Sequence, residues 1–290
     1  MSTGSISNAK SHQKETETDH RKDFRVMSQP IKVVSPIRLK DFNADYHAGL
    51  DKDEAREKSA KLCERIGALQ ELLHANANRA LLIMLQGMDT SGKDGATRNV
   101  LHNVNPAGVE AVSFKAPSAE ELGHDFLWRI HKVVPRFGNL GIWNRSHYED
   151  VLVVRVLKLQ PAIVWRARYD QINAFEKHLV ANGIVLLKFF LHISRQEQGE
   201  RLKARIEDGR KNWKFEPDDL KMRAHWPKFM KAYEDAINCC STHYAPWYII
   251  PANRKWYRDY AIAKIVVKAL EEMKMEWPRP RPDLSKLKIT

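Results

Sequence analysis

The densest chemistry in the chain lies in one short stretch, QGMDTSGKDG, residues 86–95. Gly87-x4-Gly92-Lys93 has the spacing of a phosphate-binding loop. Glycines let backbone N–H groups turn inward around phosphate oxygens. A helix starting at the loop adds positive potential, and Lys93 adds a point charge. Gly87, Met88, Thr90, Ser91, Gly92, Asp94 and Gly95 are accordingly read as nucleotide- or phosphate-binding. Two of the residue types are unexpected. The position after the lysine ordinarily carries a Ser or Thr hydroxyl that reaches Mg²⁺, and here it is Asp94. A second carboxylate, Asp89, lies inside the loop. Carboxylates facing phosphate make sense with a cation between them, because bound Mg²⁺ reverses the local sign logic, or where one orients an acceptor. The loop therefore predicts Mg²⁺-dependent phosphoryl transfer, with Mn²⁺ as the alternative ion and Asp89 beside the metal. Asp94 serves either the metal or the helix dipole.

A second cluster, WNRSHYEDVLVVRV, spans 143–156. Arg145 is placed to clamp phosphate, and Glu149 and Asp150 supply further carboxylates, Asp150 being a second candidate for the metal. His147 is either a phosphohistidine nucleophile or a structural residue. A third group is basic. Lys115, Arg129, Lys132 and Arg136 follow one another, the last three spaced by three and four as on one helix face. Arg201 and Arg205 form a further i, i+4 pair. These six are read as a lining for a polyanion. The polar, positive stretch 207–226 reads as a lid carrying Arg210, Lys211 and Lys214.

These residues need elements to position them. ALLIML (80–85) is too short and apolar for a surface helix and predicts a buried parallel strand. The loop follows it, then a helix from Lys93. Further strands are predicted at 109–114, 139–144, 184–193 and 246–252. Between them the pattern predicts a helix from the capping box Ser118/Glu121 through Val134, a long helix from Pro161 to Gly183, and another from a second box, Ser194/Glu197. An amphipathic helix over 52–77 precedes the first strand, and a terminal helix runs to about 276. Strand and helix in alternation predict an α/β fold: a parallel sheet covered on both faces, hence three layers. Residues 31–276 are read as one domain, 1–30 as a disordered tail, and 277–290 as a Pro-rich basic extension. Where the third strand ends, its polar residues emerge at the carboxyl edge, which is where open α/β sheets bind ligands.

Composition narrows the partner. Lys and Arg outnumber Asp and Glu by 48 to 36, a net charge of +12, in a chain of 290 residues. Such an excess points to a polyanion. Zinc-site spacing and nucleic-acid modules are lacking, so no specific nucleic-acid partner is expected. No apolar run approaches the roughly 20 residues of a membrane span. The three cysteines, two of them adjacent, imply no disulfide framework, so a reducing, cytoplasmic setting is expected. From these features alone, an ATP-dependent nucleotide kinase and a nucleic-acid-binding ATPase stand as alternatives.

Taken together, GMDTSGKDG, SFKAPSAEELGHDFLWRIHKVVP, IWNRSHYEDVLVVRV, LKFFLHISRQEQGERLKAR, WKFEPDDL and APWYIIPANRKWYRD resemble the family-2 polyphosphate kinases over about residues 35–275. The resemblance implies a P-loop kinase fold like that of thymidylate kinase, with a helical lid around 201–220. It implies transfer of a terminal phosphoryl group between inorganic polyphosphate and a nucleotide, with Mg²⁺. It makes Asp89, Lys93 and Arg145 the catalytic set, with Arg145 on phosphate. Family members that mainly phosphorylate ADP carry Asp-Arg-Ser where this chain has Asn144-Arg145-Ser146, and usually an uncharged residue in place of Glu149. The chain is similar instead to members that accept both AMP and ADP, so Asn144 and Glu149 join the nucleotide site. Polyphosphate, AMP, ADP and ATP are the expected ligands, and a homo-oligomer, dimer or tetramer, the expected assembly.

Overall fold

All seven residues of the strand Ala80–Gln86 (β1) are buried, as a strand covered on both faces must be. In this computed structural model, which describes residues 32–34 and 36–279, β1 lies at the centre of a five-stranded parallel sheet. Its neighbours are Leu140–Asn144 (β3) on one side and Ile184–His192 (β4) on the other. Val109–Ser113 (β2) and Trp247–Pro251 (β5) complete the order β2-β3-β1-β4-β5. The chain leaves β1 toward one edge and later returns to the other. The carboxyl end of β1 is therefore the switch point, where a crevice opens for ligand.

Alternation along β1 divides the core. Leu81, Ile83 and Leu85 pack on one face with helices Lys52–Asn76 (α1), Lys93–Val100 (α2) and Lys255–Glu272 (α10). Ala80, Leu82 and Met84 face the other way, toward Phe175 and Leu179 of Ala162–Ala181 (α6). That face also carries Glu149–Val156 (α5) and Trp226–Cys240 (α9), through Leu152, Phe190, Tyr233 and Trp247. The α1 helix is capped by Asp51, whose carboxylate accepts from the N–H groups of Asp53 and Glu54. It buries Ile66 and Leu73 completely, and truncating such a leucine costs about 2–5 kcal/mol. Among the described residues no helix is long and apolar enough to cross a membrane, and all three cysteines are free thiols.

Some elements differ from expectation. The helix expected over 118–134 is two single turns, Ala119–Leu122 (α3) and Trp128–His131 (α4). The Ser118/Glu121 box forms as expected, but the Gly123 N–H closes the turn on the Ala119 carbonyl, and the Asp125 carboxylate accepts from the Leu127 N–H. Arg129, Lys132 and Arg136 therefore do not share one helix face. The helix after β4, Arg195–Glu207 (α7), has only half of the expected box. Ser194 accepts from the Glu197 N–H, but the Glu197 carboxylate turns to Arg201 at 2.7 Å. The terminal helix stops at Glu272, four residues short of expectation. The tail over 1–30 and nearly all of 277–290 lie outside the described residues.

Candidate active site

The β1–α2 loop starts where the strand's backbone pairing ends. Gly87 has φ +152°, and a Cβ there would fall 2.8 Å from Ser91 Oγ and 2.9 Å from the Leu191 carbonyl. Gly92, the N-cap of α2, has φ +98°, and a Cβ there would overlap Arg258 Nη1 at 1.9 Å. Glycine is required at both positions. Between them Thr90 sits at φ +62°, a left-handed conformation that costs a non-glycine residue about 1–3 kcal/mol. Lys93 bends back over the loop and donates to the carbonyls of Gly87 at 2.8 Å and Met88 at 3.3 Å. Burial lowers its ammonium to a pKa of about 8; Arg145 adds to the effect, and Asp89, Glu149 and Asp94 oppose it. Met88 and Ser91 are buried.

The second cluster meets this loop because β3 pairs with β1, Leu85 opposite Asn144. Asn144 donates its amide to the Asp94 carboxylate. Arg145, again a non-glycine residue in the left-handed region (φ +66°), turns its guanidinium between two carboxylates. It lies 2.9 Å from Asp89 Oδ1 and 3.7 Å from Glu149 Oε2. Burial raises the Glu149 carboxyl above its ordinary range, and Arg145 and Lys93 pull it back. Asp89, Lys93, Asp94, Asn144, Arg145 and Glu149 therefore form one site at the switch point.

A buried polar cluster lies beneath the segment that carries Arg145. Lys188 of β4 is fully buried, with its ammonium on Glu176 at 2.5 Å, Tyr148 Oη at 3.0 Å and the Cys240 carbonyl at 2.7 Å. Glu176 also accepts from Tyr148 at 2.8 Å and pairs with His147 at 3.2 Å. Burial would raise the Glu176 carboxyl, but Lys188 and His147 overcome it and hold the group below its ordinary range. His147 therefore faces the interior and serves structure, not nucleophilic attack.

The other residues expected at the site are more dispersed. Asp150 engages Arg168 Nη1 at 3.0 Å. Arg129 is buried, donates to the Lys115 carbonyl at 3.0 Å and lies 5.6 Å from the Phe114 ring centre. Lys132 covers the Trp128 ring at 4.0 Å. Arg136 pairs with Glu110 at the amino end of the sheet, away from the loop. Arg205 meets Asp219 of Pro217–Ala224 (α8) at 3.3 Å. Arg201 is the most fully engaged. Its Nη1 donates to the carbonyls of Thr90 and Ser91, and its Nη2 to those of Ala252 and Asn253, at 2.7–3.2 Å. It fastens the phosphate loop to the end of β5.

Sequence reasoning missed three residues here. Gln198, one turn before Arg201 and fully buried, donates to the Asp89 carbonyl at 3.2 Å and accepts from Arg223 of α8 at 2.8 Å. Tyr233 of α9 is buried next to Glu149, Arg145 and Asp89. Arg258, gripped by Asp259 at 2.6 Å, lies against Gly92 and Gly95. The i, i+3 spacing of Gln198 and Arg201 was a usable signal. Arg258 was signalled only by its position just past the carboxyl end of β5.

The sequence model of the family described as Polyphosphate kinase 2 matches residues 49–278. An AMP/ADP-polyphosphate phosphotransferase of Meiothermus ruber is 48% identical over 255 residues, 87% of this chain and 96% of its own length. An ADP-polyphosphate phosphotransferase of Rhodopseudomonas palustris is 43% identical over 76% of this chain and 80% of its own. The crystal structure of polyphosphate kinase 2 from Arthrobacter aurescens superposes with a TM-score of 0.87 at 38% identity, covering 89% of this chain and 94% of that one.

Proposed function

The chain belongs to the polyphosphate kinase 2 family, and from that membership we propose that it transfers the terminal phosphoryl group of inorganic polyphosphate to AMP and ADP, giving ADP and ATP, and that the reaction is reversible. The observation that carries the reading is the placement of the Arg145 guanidinium between Asp89 and Glu149 at a phosphate loop that contains Lys93. Both substrates are phosphate chains, so the site must hold two polyanions end to end. Alternating cations and carboxylates suit that task better than a purely basic pocket, which would bind both without ordering them.

A divalent cation fits the donor set in one way. Among the described residues no group of three His, Cys, Asp or Glu side chains could hold a metal alone. Mg²⁺ rarely asks for such a cage; it takes one or two carboxylates and fills its shell with waters and substrate phosphates. Asp89 would be that carboxylate. The hydroxyls of Thr90 and Ser91 and the Asn144 carbonyl oxygen, buried without hydrogen-bond partners, leave polar capacity beside it. Asp150 is already engaged by Arg168. When bound, Mg²⁺ or Mn²⁺ supplies positive charge for the facing phosphates.

The chain's own residues do the rest. A terminal phosphate oxygen of the acceptor attacks the terminal phosphorus of the polymer. The bond from that phosphorus to its bridging oxygen breaks, and the shortened polymer leaves with the electron pair. Lys93 and the loop N–H groups hold the charge that shifts onto the bridging oxygen, the electrostatic stabilisation on which phosphoryl transfer mostly depends. Arg145 aligns the acceptor phosphate while Asp89 and Glu149 fix the guanidinium. Glu149, in place of a neutral residue, sets where the shorter acceptor stops, so that AMP and ADP both reach one donor end. The segment around 201–220 closes over the site and excludes water. Donor competition tests the reading. With ADP as acceptor, labelled polyphosphate should deliver its phosphate in the presence of excess GTP. Transfer from GTP but not from polyphosphate would make this an ordinary nucleotide kinase.

A further inference from the structure

The last residue of β1, Gln86, is polar and yet fully buried, and the transfer step does not use it. It continues the row of Ala80, Leu82 and Met84, so its side chain turns toward the face that carries α5 and α9. Its Nε2 donates to Ser146 Oγ at 3.1 Å. Its Oε1 is buried with no hydrogen-bond partner among the described residues. An unpaired buried acceptor weakens a fold, and methionine would fill a similar volume without one. Packing alone therefore does not account for an amide at this position.

The amide lands on the turn that carries Arg145 and Glu149. Ser146 is fully buried, its Oγ also accepts from the Tyr148 N–H at 3.3 Å, and its carbonyl accepts from the Glu149 N–H at 3.1 Å. The Arg145 N–H donates to the Leu85 carbonyl at 3.0 Å. The last two residues of β1 thus hold the 145–149 turn, Leu85 by its backbone and Gln86 by its side chain. Glu149 feels the same amide. Burial raises its carboxyl; Arg145, Lys93 and a hydrogen bond from Gln86 lower it, and Asp89 adds to the rise. Of the three groups that lower it, Gln86 alone carries no charge, so it can direct the carboxylate without competing for phosphate.

We infer that Gln86 is a positioning residue for acceptor choice: between the phosphate-loop strand and the 145–149 turn, its carboxamide anchors Ser146 and fixes the Glu149 carboxylate where the shorter acceptor stops. The inference rests on the acceptor reading of Glu149 and adds the residue through which β1 enforces it. Glutamate at 86 would set a second carboxylate beside Glu149, and methionine would supply no donor. Glutamine supplies the donor without the charge.

The test measures steady-state kinetics with AMP and with ADP, at saturating polyphosphate, for the parent enzyme, Gln86→Met, Glu149→Asn and the double variant. Thermal unfolding checks that each folds. In Gln86→Met the ratio of kcat/KM for AMP to that for ADP should fall about tenfold, the lower end of what a hydrogen bond to a charged group is worth. The fall should lie in kcat for AMP, with its KM little changed, because a positioning residue does not touch the nucleotide. In the Glu149→Asn background, adding Gln86→Met should leave the ratio where Glu149→Asn set it, since the two act as one unit. If Gln86→Met does not fold, Ser146→Ala, which removes the anchor and keeps the amide, decides by a smaller fall in the same ratio. An unchanged ratio, a change confined to KM, or an equal further fall in the Glu149→Asn background would each overturn the inference. Failure of the acceptor reading itself would look different: Glu149→Asn alone would leave the ratio at the parent value, before any change at Gln86, and the inference would fall with it.

Discussion

At the scale of single residues, Lys93 and Asp89 bear the most weight. Loss of one contact to charge that develops in transfer typically costs on the order of 10²–10³ in rate. Lys93→Ala should lose at least that much kcat while its unfolding transition stays cooperative, and near-normal turnover would remove the loop lysine from the chemistry. A pH profile tests the same residue without removing its charge. With a pKa of about 8, the ammonium is positive below that pH and neutral above it, so kcat/KM should decline as pH rises through about 8. In Lys93→Arg the residual activity should lack that alkaline limb, because a guanidinium stays charged. A limb unchanged by the substitution would belong to another group. Asp89→Asn should weaken the response to added Mg²⁺ as well as the rate, whereas an intact Mg²⁺ titration would separate this carboxylate from the metal. Glu149→Asn should depress AMP use more than ADP use; equal losses would count against a role in choosing the acceptor.

At the scale of elements, the site depends on parts that meet it from below and from the lid side. The Lys188–Glu176 pair, with Tyr148 and His147, joins β4, α6 and the segment that carries Arg145. Lys188→Met leaves Glu176 charged and buried, and breaking one side of such a pair costs about 3–5 kcal/mol. Denaturant unfolding should show that loss, and a much smaller one would mean the carboxyl finds another partner. The Glu176 pKa is depressed in the fold, so its contribution is present above the ordinary carboxyl range and fades as pH falls below it. From the other side, Gln198 links the Asp89 carbonyl to Arg223 in α8, so the proposed lid touches the loop it would close on. Deleting part of 208–216 should raise polyphosphate hydrolysis relative to transfer, and an unchanged ratio would argue against a water-excluding lid.

These elements also mark what the sequence made legible. The phosphate loop, the five strands and the Arg145 cluster could be read because glycine spacing, apolar runs and strand ends are local signals. The two short turns at 119–131 could not, because Gly123 and Asp125 act through backbone bonds that periodicity does not register. Arg201 looked like a ligand for the polymer and instead fastens the loop to β5, since the carbonyls it grips come from segments 110 and 51 residues away. Lys188 inside an apolar strand gave no hint of Glu176, because only the fold brings β4 against α6.

At the scale of the whole molecule, the net charge of +12 favours association with a polyanion. Several of its cations are engaged by carboxylates: Arg136 with Glu110, Arg205 with Asp219, Arg168 with Asp150. Attraction should therefore concentrate around the phosphate loop. KM for polyphosphate should rise with salt more steeply than KM for ADP; parallel slopes would mean that the basic excess serves no particular substrate. The central claim is that one site phosphorylates two acceptors from polyphosphate. It is tested most directly by a time course of purified protein with polyphosphate, Mg²⁺ and AMP, with no adenylate kinase present. ADP should accumulate first and ATP should follow as ADP is consumed. AMP left untouched while added ADP is converted would contradict the two-acceptor site, and no nucleotide product from either acceptor would contradict the account as a whole.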